Sequence, residues 1–311
     1  MKCLVTGGAG FIGSHLTDAL LGRGDEVVVI DDLSTGSREN LAAALSSGAE
    51  LIEGDVCDRE FIDRAVAAAG PDAVFHLAAQ GEVRRSIEQP AFDATVNVVG
   101  TVNLVEAARA SGVGRFALAS TGGAIYGEGS GRDLPVPESS SLEPLCPYGL
   151  SKLASDQYLL LYRRMYGLSS VALRFANVYG PRQRPKGEAG AVAIFGELLL
   201  QGKRPVVFGD GTQTRDFVYI DDVIAAVLAA TDSDMQGPVN IGSGVETSLL
   251  ELLDGLAQAG PDDSNFQPVF DPPVSGEVKR ISIDPARAAE ELGWKPTVGL
   301  QEGLGRTLAA L

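Results

Sequence analysis

Two short stretches near the start of the chain carry residue types that act on one ligand. Thr6-Gly-Gly-Ala-Gly-Phe-Ile-Gly13 follows a short apolar run and opens a helix-length segment, placing Gly7, Gly10 and Gly13 in a G-x-x-G-x-x-G pattern. There the first glycine permits a tight turn and the second lets a pyrophosphate approach the backbone. The third permits close helix-sheet packing, and the helix N-terminus stabilises the phosphate charge. About twenty residues on, the next apolar run ends in Ile30-Asp31-Asp32, where a carboxylate accepts ribose hydroxyls and repels a 2′-phosphate. Any tight strand-to-helix turn favours glycine; with these aspartates behind it, the pattern points to a dinucleotide, NAD rather than NADP.

Tyr148-Gly-Leu-Ser-Lys152 is a Tyr-x-x-x-Lys in a helix-length segment. Four residues turn a helix through about 400°, so both side chains share one face. An ammonium beside a phenol stabilises phenolate, and a tyrosine with pKa ~10 in water becomes a base near neutral pH when a nicotinamide cation also lies close. Isolated pairs of this kind are ordinary amphipathic surface; downstream of a dinucleotide turn they are not. Ala119-Ser-Thr-Gly-Gly-Ala-Ile-Tyr126 follows another apolar run, at the strand end where open α/β sheets place their ligands. Ser120 and Thr121 can offer a hydroxyl there to the atom that Tyr148 addresses; simple turn chemistry is the competing reading.

Positioning these groups takes an alternation of strands and helices, and the first half of the chain has one. Near-continuous apolar runs at 3–5, 26–30, 50–52, 72–75, 115–119 and 171–175 read as strands covered on both faces. Helices are expected over 11–23, 58–69, 91–111 and 148–166, which makes a doubly wound parallel α/β sheet of the Rossmann type. After Asn177 the pattern shifts to Pro/Gly-rich loops and short elements, with an acidic loop near Pro261-Asp-Asp. We therefore expect a dinucleotide-binding domain over 1–176 plus about 216–242. A smaller α/β substrate domain takes about 177–215 plus 243–311.

Composition bounds the partners. Lys+Arg 25 against Asp+Glu 41 gives a net charge of −16, which repels phosphate backbones and anionic lipid surfaces. Neither nucleic acid nor membrane is an expected partner, and no apolar run approaches the ~18 residues of a span. Cys3, Cys57 and Cys146 are odd in number and scattered, as reduced thiols of a cytoplasmic protein would be. With two histidines, His15 and His76, no metal site is expected. His76 ends an apolar strand and reads as a core histidine.

These motifs together resemble the extended short-chain dehydrogenase/reductase superfamily in its nucleotide-sugar branch, most closely the UDP-glucose (UDP-galactose) 4-epimerases. The likeness runs over essentially the whole chain, through Asp55-Val56, His76-Leu-Ala-Ala-Gln80, Asn97, Arg174-Phe-Ala-Asn-Val-Tyr-Gly-Pro181, Gly187-Glu-Ala-Gly190, Phe208 to Phe217 and Leu292-Gly-Trp. It implies that Gly7, Gly10, Phe11, Ile12, Gly13, Asp31, Asp32, Asp55, Val56, Leu77, Ala78, Ala79, Gln80, Asn97, Tyr148 and Lys152 surround NAD. It further implies that Asn177, Val192, Phe208, Gln213, Arg215 and Glu277 hold a UDP-sugar, with Tyr148 and Lys152 catalytic, in a homodimer. A guanidinium at Arg215 suits a diphosphate; the alternative is a surface charge paired with Asp216.

Two departures stand out. Gly122 occupies the place where these epimerases usually carry the catalytic Ser or Thr, which passes the hydroxyl to Thr121 or water. Val274-Ser-Gly-Glu277 lacks an Arg that relatives commonly have there, and Lys279 or Arg280 is the expected substitute. Sugar 4,6-dehydratases resemble one another in an acid pair after the Ser/Thr, and UDP-glucuronate decarboxylases in a Glu; positions 122–124 are Gly-Gly-Ala. Inversion at C4 of UDP-glucose/UDP-galactose is therefore expected, with UDP-glucuronate or UDP-N-acetylglucosamine the alternatives. Arg184 favours a uronate unless Glu188 neutralises it, and Ile281 falls where bulk at C2 is gated. A nucleotide-sugar reductase or a non-catalytic NAD-sensing protein is more remote.

Overall fold

The apolar runs do become strands: β1 (Lys2–Thr6), β2 (Glu26–Asp31), β3 (Glu50–Glu53), β4 (Ala73–His76), β5 (Arg115–Thr121) and β6 (Ser170–Phe175). Together with the strand Gly237–Ile241 they form a seven-stranded sheet in the order Gly237–Ile241, β6, β5, β4, β1, β2, β3. The pairs β2–β3, β1–β2, β1–β4 and β4–β5 are parallel, with Val5 opposite both Val29 and Phe75. Val27, Val28, Val29 and Ile30 are all buried, because helices cover both faces. On one face Leu4, Val28, Ile30, Val74 and Phe116 join Ile62, Val66, Leu104 and Val105 in a single core. Strand order reverses between β1 and β4, the switch point where such sheets open a ligand crevice at their carboxyl ends.

The structure, a computed structural model, describes residues 1–129, 131–184, 190–261, 266–273 and 278–311. Its helices start and stop on local signals. Asp58 Oδ1 accepts the Phe61 N–H at 3.0 Å to cap the helix Arg59–Ala69, and Gly167, at φ +71°, closes the helix Pro147–Tyr166. One expected element differs. The single helix over 91–111 is instead Pro90–Ala94, a π-helical turn Thr95–Val99, and Gly100–Ala110. That turn carries Asn97, whose side chain bonds inward. No helix among the described residues is long and apolar enough to cross a membrane.

Two compact units emerge: Met1–Thr121 with Cys146–Arg174 and Ile224–Val239, and Gly122–Leu145 with Phe175–Val223 and Asn240–Leu311. The segments 122–145 and 216–223, expected in the first domain, fall in the second unit. Long-range backbone bonds explain the first: Gly129 N–H donates to Arg280 O, Glu128 accepts the N–H groups of Lys279 and Arg280, and Val136 bridges Ile283. Also in the second unit, Trp294 of Leu292-Gly-Trp donates its Nε1–H to Asp222 O at 2.9 Å, while the Asp222 carboxylate takes Thr297 and Val298.

Candidate active site

Backbone crowding explains the glycines after β1. Gly7 has φ +70°, its N–H donates to Ile30 O at 2.8 Å, and a Cβ on it would lie 2.5 Å from Ala78 N. A Cβ on Gly13 would lie 2.1 Å from Gly7 O, so the close packing this glycine allows is of the helix onto the loop, not onto the sheet. Gly8, which spacing did not single out, would drive a Cβ to 2.6 Å from Val29 Cγ1. Gly10 differs: its Cβ would meet only Gly7 O, at 3.2 Å. Helix α1 (Phe11–Gly22) begins there with no side-chain cap and no acidic residue in its first turn, so its N–H groups suit an anion.

Asp31 locks this loop to the end of β2. Its Oδ2 accepts Ala9 N–H at 2.9 Å and its Oδ1 accepts Leu33 N–H at 2.8 Å, with Leu33 held at φ +58°. Burial pushes the Asp31 carboxyl up and those two N–H groups oppose it. Asp32 is exposed and takes both the N–H and the hydroxyl of Ser34. Beyond β3, Asp55 is exposed and turns back to Cys57 N–H, while Val56 is buried. Past β4, Leu77, Ala78 and Ala79 are half-buried at the switch point and Gln80 is buried, its N–H on Asn97 Oδ1 at 2.8 Å. An uncapped helix start, an open glycine and carboxylates at the end of β2 together fit NAD.

Tyr148 and Lys152 stand one turn apart on the helix Pro147–Tyr166; Tyr148 is half-buried and Lys152 is buried. Ser120 and Thr121 end β5 in the same unit. The Ser120 hydroxyl is buried beside Asp156 with no hydrogen-bond partner among the described residues, and Thr121 is buried next to it in the chain. His76 is the core histidine expected: its Nδ1 meets Thr6 Oγ1 at 2.7 Å and its Nε2 meets Thr101 Oγ1 at 3.0 Å. Burial, reinforced by the positive charge of Lys152, holds it down to about 3. Sequence reading missed Asp156, one turn past Lys152 on the same face, and gave no role to Arg174. Arg174 Nε reaches Asp156 Oδ2 at 3.0 Å with both side chains buried, and burial raises the Asp156 carboxyl against that guanidinium.

In the second unit the strand Asn177–Tyr179 pairs with Phe217–Tyr219, and Asn177 N–H donates to Asp216 O at 2.8 Å. Thr214–Arg215 pairs with Thr247–Ser248, and Gln213 Nε2 donates to Phe208 O at 2.8 Å, tying the end of the strand Val206–Phe208 to the residue that precedes Thr214–Arg215. Arg215 is half-buried with Nη1 on Thr214 O, and the Asp216 carboxylate holds Ser243, Gly244 and Ile283. Val192 is buried in the first turn of the helix Ala191–Leu200, so a ligand there would meet its backbone. The expected substitutes for the missing Arg divide. Arg280 is forked onto Glu246 at 2.6 and 3.0 Å. Lys279 is the last of the groups that lower the Asp210 carboxyl, after the hydroxyl and N–H of Thr212. Ile281 is closed off in the core at 1% exposed, which disagrees with a gating role. Glu277, Gly187 and Glu188 lie outside the described residues.

Residues 3–242 match the sequence pattern of the NAD dependent epimerase/dehydratase family. The chain belongs to this family. It is 47% identical to a UDP-glucose 4-epimerase of Mycolicibacterium smegmatis over 99% of this chain and 97% of that protein. Among solved structures, a UDP-glucose 4-epimerase with UDP-glucose from Thermotoga maritima is 44% identical with TM-score 0.95, covering 100% of this chain and 98% of that one. A Thermus thermophilus UDP-glucose 4-epimerase complexed with NAD is 42% identical with TM-score 0.92, at the same coverage of both chains. As in other family members, NAD is the cofactor.

Proposed function

We propose that this enzyme inverts C4 of a UDP-hexose, UDP-glucose/UDP-galactose, through a transient 4-keto sugar. The observation that carries the reading is a single base, Tyr148 with Lys152 one turn behind it, beside a strand end that continues as Gly122-Gly-Ala with no carboxylic acid. Dehydration and decarboxylation need such a second acid-base group; epimerisation does not. In this reading the first unit holds NAD and the second holds the nucleotide sugar.

Bound NAD would supply the hydride acceptor and donor for C4, held by the glycine turn after β1 and the carboxylates at the end of β2. Tyr148 takes the 4-OH proton as the carbonyl forms and gives it back after the sugar has turned. Lys152 keeps the phenolate accessible by its charge, and Thr121, at the end of β5, offers the hydroxyl that Gly122 lacks. Arg215 anchors the diphosphate as a charge-assisted donor, leaving the sugar loose enough to present its other face. The test is a panel of UDP sugars followed by proton NMR at C4: UDP-galactose and UDP-glucose should interconvert without net NADH. Steady NADH production would favour a dehydrogenase, and no turnover a binding protein.

Arg184, exposed after Gly180-Pro-Arg-Gln, keeps a uronate as the second reading. A kcat/KM preference for UDP-galacturonate over UDP-galactose, lost in Arg184→Ala, would replace the neutral sugar. A homodimer is supported by apolar side chains exposed on two helices of the first unit: Val83 and Ile87 on Val83–Glu88, and Leu150, Leu161 and Met165 on Pro147–Tyr166. Equilibrium sedimentation at twice the chain mass checks it. Three free cysteines fit a cytoplasmic location.

A further inference from the structure

Asp93 is a buried carboxylate that the mechanism above does not use. It lies in the short helix Pro90–Ala94 at 1% exposed. Its Oδ1 accepts Gln80 Nε2 at 2.9 Å and Asn97 Nδ2 at 3.1 Å, while its Oδ2 is sealed from solvent without a partner. Both amides are then committed elsewhere. Gln80 Oε1 accepts Glu82 N–H at 2.7 Å, and Asn97 Oδ1 accepts Gln80 N–H at 2.8 Å. Asn97 Nδ2 also donates to Ser151 Oγ at 3.0 Å, and that hydroxyl donates to Tyr148 O at 3.0 Å. One anion thus ties the loop after β4 to the π-helical turn and to the first turn of the Tyr148 helix, all within the first unit.

A neutral oxygen could accept the same two amide hydrogens without the cost of burying a charge with one oxygen unpaired. We propose that Asp93 is a positioning residue whose buried negative charge clamps the Gln80 and Asn97 amides and so fixes Tyr148 against the cofactor loop. The proposal rests on the reading of Tyr148 as the base and of the loop Leu77–Gln80 as part of the NAD site. Cys146 offers an independent reporter of that charge. Its Sγ caps the Tyr148 helix by accepting Gly149 N–H at 3.4 Å, and its thiol is raised by burial, lowered by that N–H, and raised by Asp93.

Asp93→Asn keeps the shape and an acceptor oxygen but removes the charge. In the NAD-loaded enzyme its kcat on UDP-galactose should fall about tenfold or more, the scale of a misplaced catalytic group, with KM within about twofold of wild type. Iodoacetamide alkylation of Cys146 at pH 8, separated from Cys57 by peptide mass spectrometry, should accelerate severalfold. Ser151→Ala cuts only the last link; it should lower kcat severalfold and leave the Cys146 rate unchanged. Wild-type kcat in both variants overturns the proposal, as does a kcat loss in Asp93→Asn that tracks loss of NAD. If the wild-type protein turns over no UDP sugar, the epimerase reading fails; an unchanged Cys146 rate in Asp93→Asn then overturns the role of Asp93 separately.

Discussion

Around Gly7, backbone lies directly on backbone: a Cβ on Gly7 would collide with Ala78 N and one on Gly13 with Gly7 O, while Asp31 bonds two neighbouring N–H groups. Around Arg215, by contrast, side chains reach across long stretches of sequence. Asp216 gathers Ser243, Gly244 and Ile283, Glu246 gathers Thr214 and Arg280, and Glu128 gathers Lys279 and Arg280. The first construction tolerates no added atom at Gly7 or Gly13, which suits the rigid cofactor site proposed there. The second distributes its support over several carboxylates and can lose one contact without losing the rest, which suits the proposed site of a sugar that must turn.

The largest expected effect is on the base. Tyr148→Phe removes one hydroxyl, so NAD content and fold should persist while kcat falls at least ~100-fold; near-normal turnover would sink the assignment. The glycines sharpen the contrast within the rigid loop. Gly13→Ala, with its Cβ at 2.1 Å from Gly7 O, should lose NAD and several degrees of Tm together, because overpacking costs about 1–3 kcal/mol or more. Gly10→Ala, whose closest contact would be 3.2 Å, should keep the Tm of the apoprotein within about 2 °C yet weaken NAD at least ~10-fold. Equal melting losses in the two variants would mean that Gly10 is a packing residue as well.

In the distributed site, Arg215→Ala should weaken UDP about 10- to 100-fold by calorimetry, since charge-assisted bonds contribute roughly 1.5–3 kcal/mol each, with NAD content unchanged. Arg280→Ala should cost less than about threefold, because that guanidinium is already forked onto Glu246. A large loss at Arg280 would mean that it leaves Glu246 for the diphosphate.

Legibility in the sequence follows the same division. Strands β1 to β6, the glycine turn and the Tyr148/Lys152 face were readable because local period and spacing determine them. Membership of 122–145 in the second unit was not, since it depends on bonds from Glu128 and Gly129 to residues about 150 positions away. Nor was the π-helical turn, which puts Asn97 onto Gln80 and Ser151; a helix period cannot register one extra residue per turn. Asp93 and Asp156 look like exposed helix carboxylates until tertiary packing buries them.

A last effect is expected on stability rather than on binding, and it separates the rigid crevice from everything around it. His76 sits neutral between Thr6 and Thr101, held down to about 3 from an ordinary 6.5 by burial and by Lys152. A histidine depressed in the folded state binds its proton more readily when unfolded. Its contribution is therefore complete above pH 6.5 and is lost as pH falls toward 3, at up to about 1.4 kcal/mol per pH unit. His76→Gln cannot titrate, so between pH 6.5 and 5 its Tm should fall less steeply than that of the wild type, whose other titrating groups are shared. Parallel Tm slopes in the two proteins would mean that His76 gains its proton without unfolding, and that the end of β4 is open to water rather than sealed beneath the Tyr148 helix.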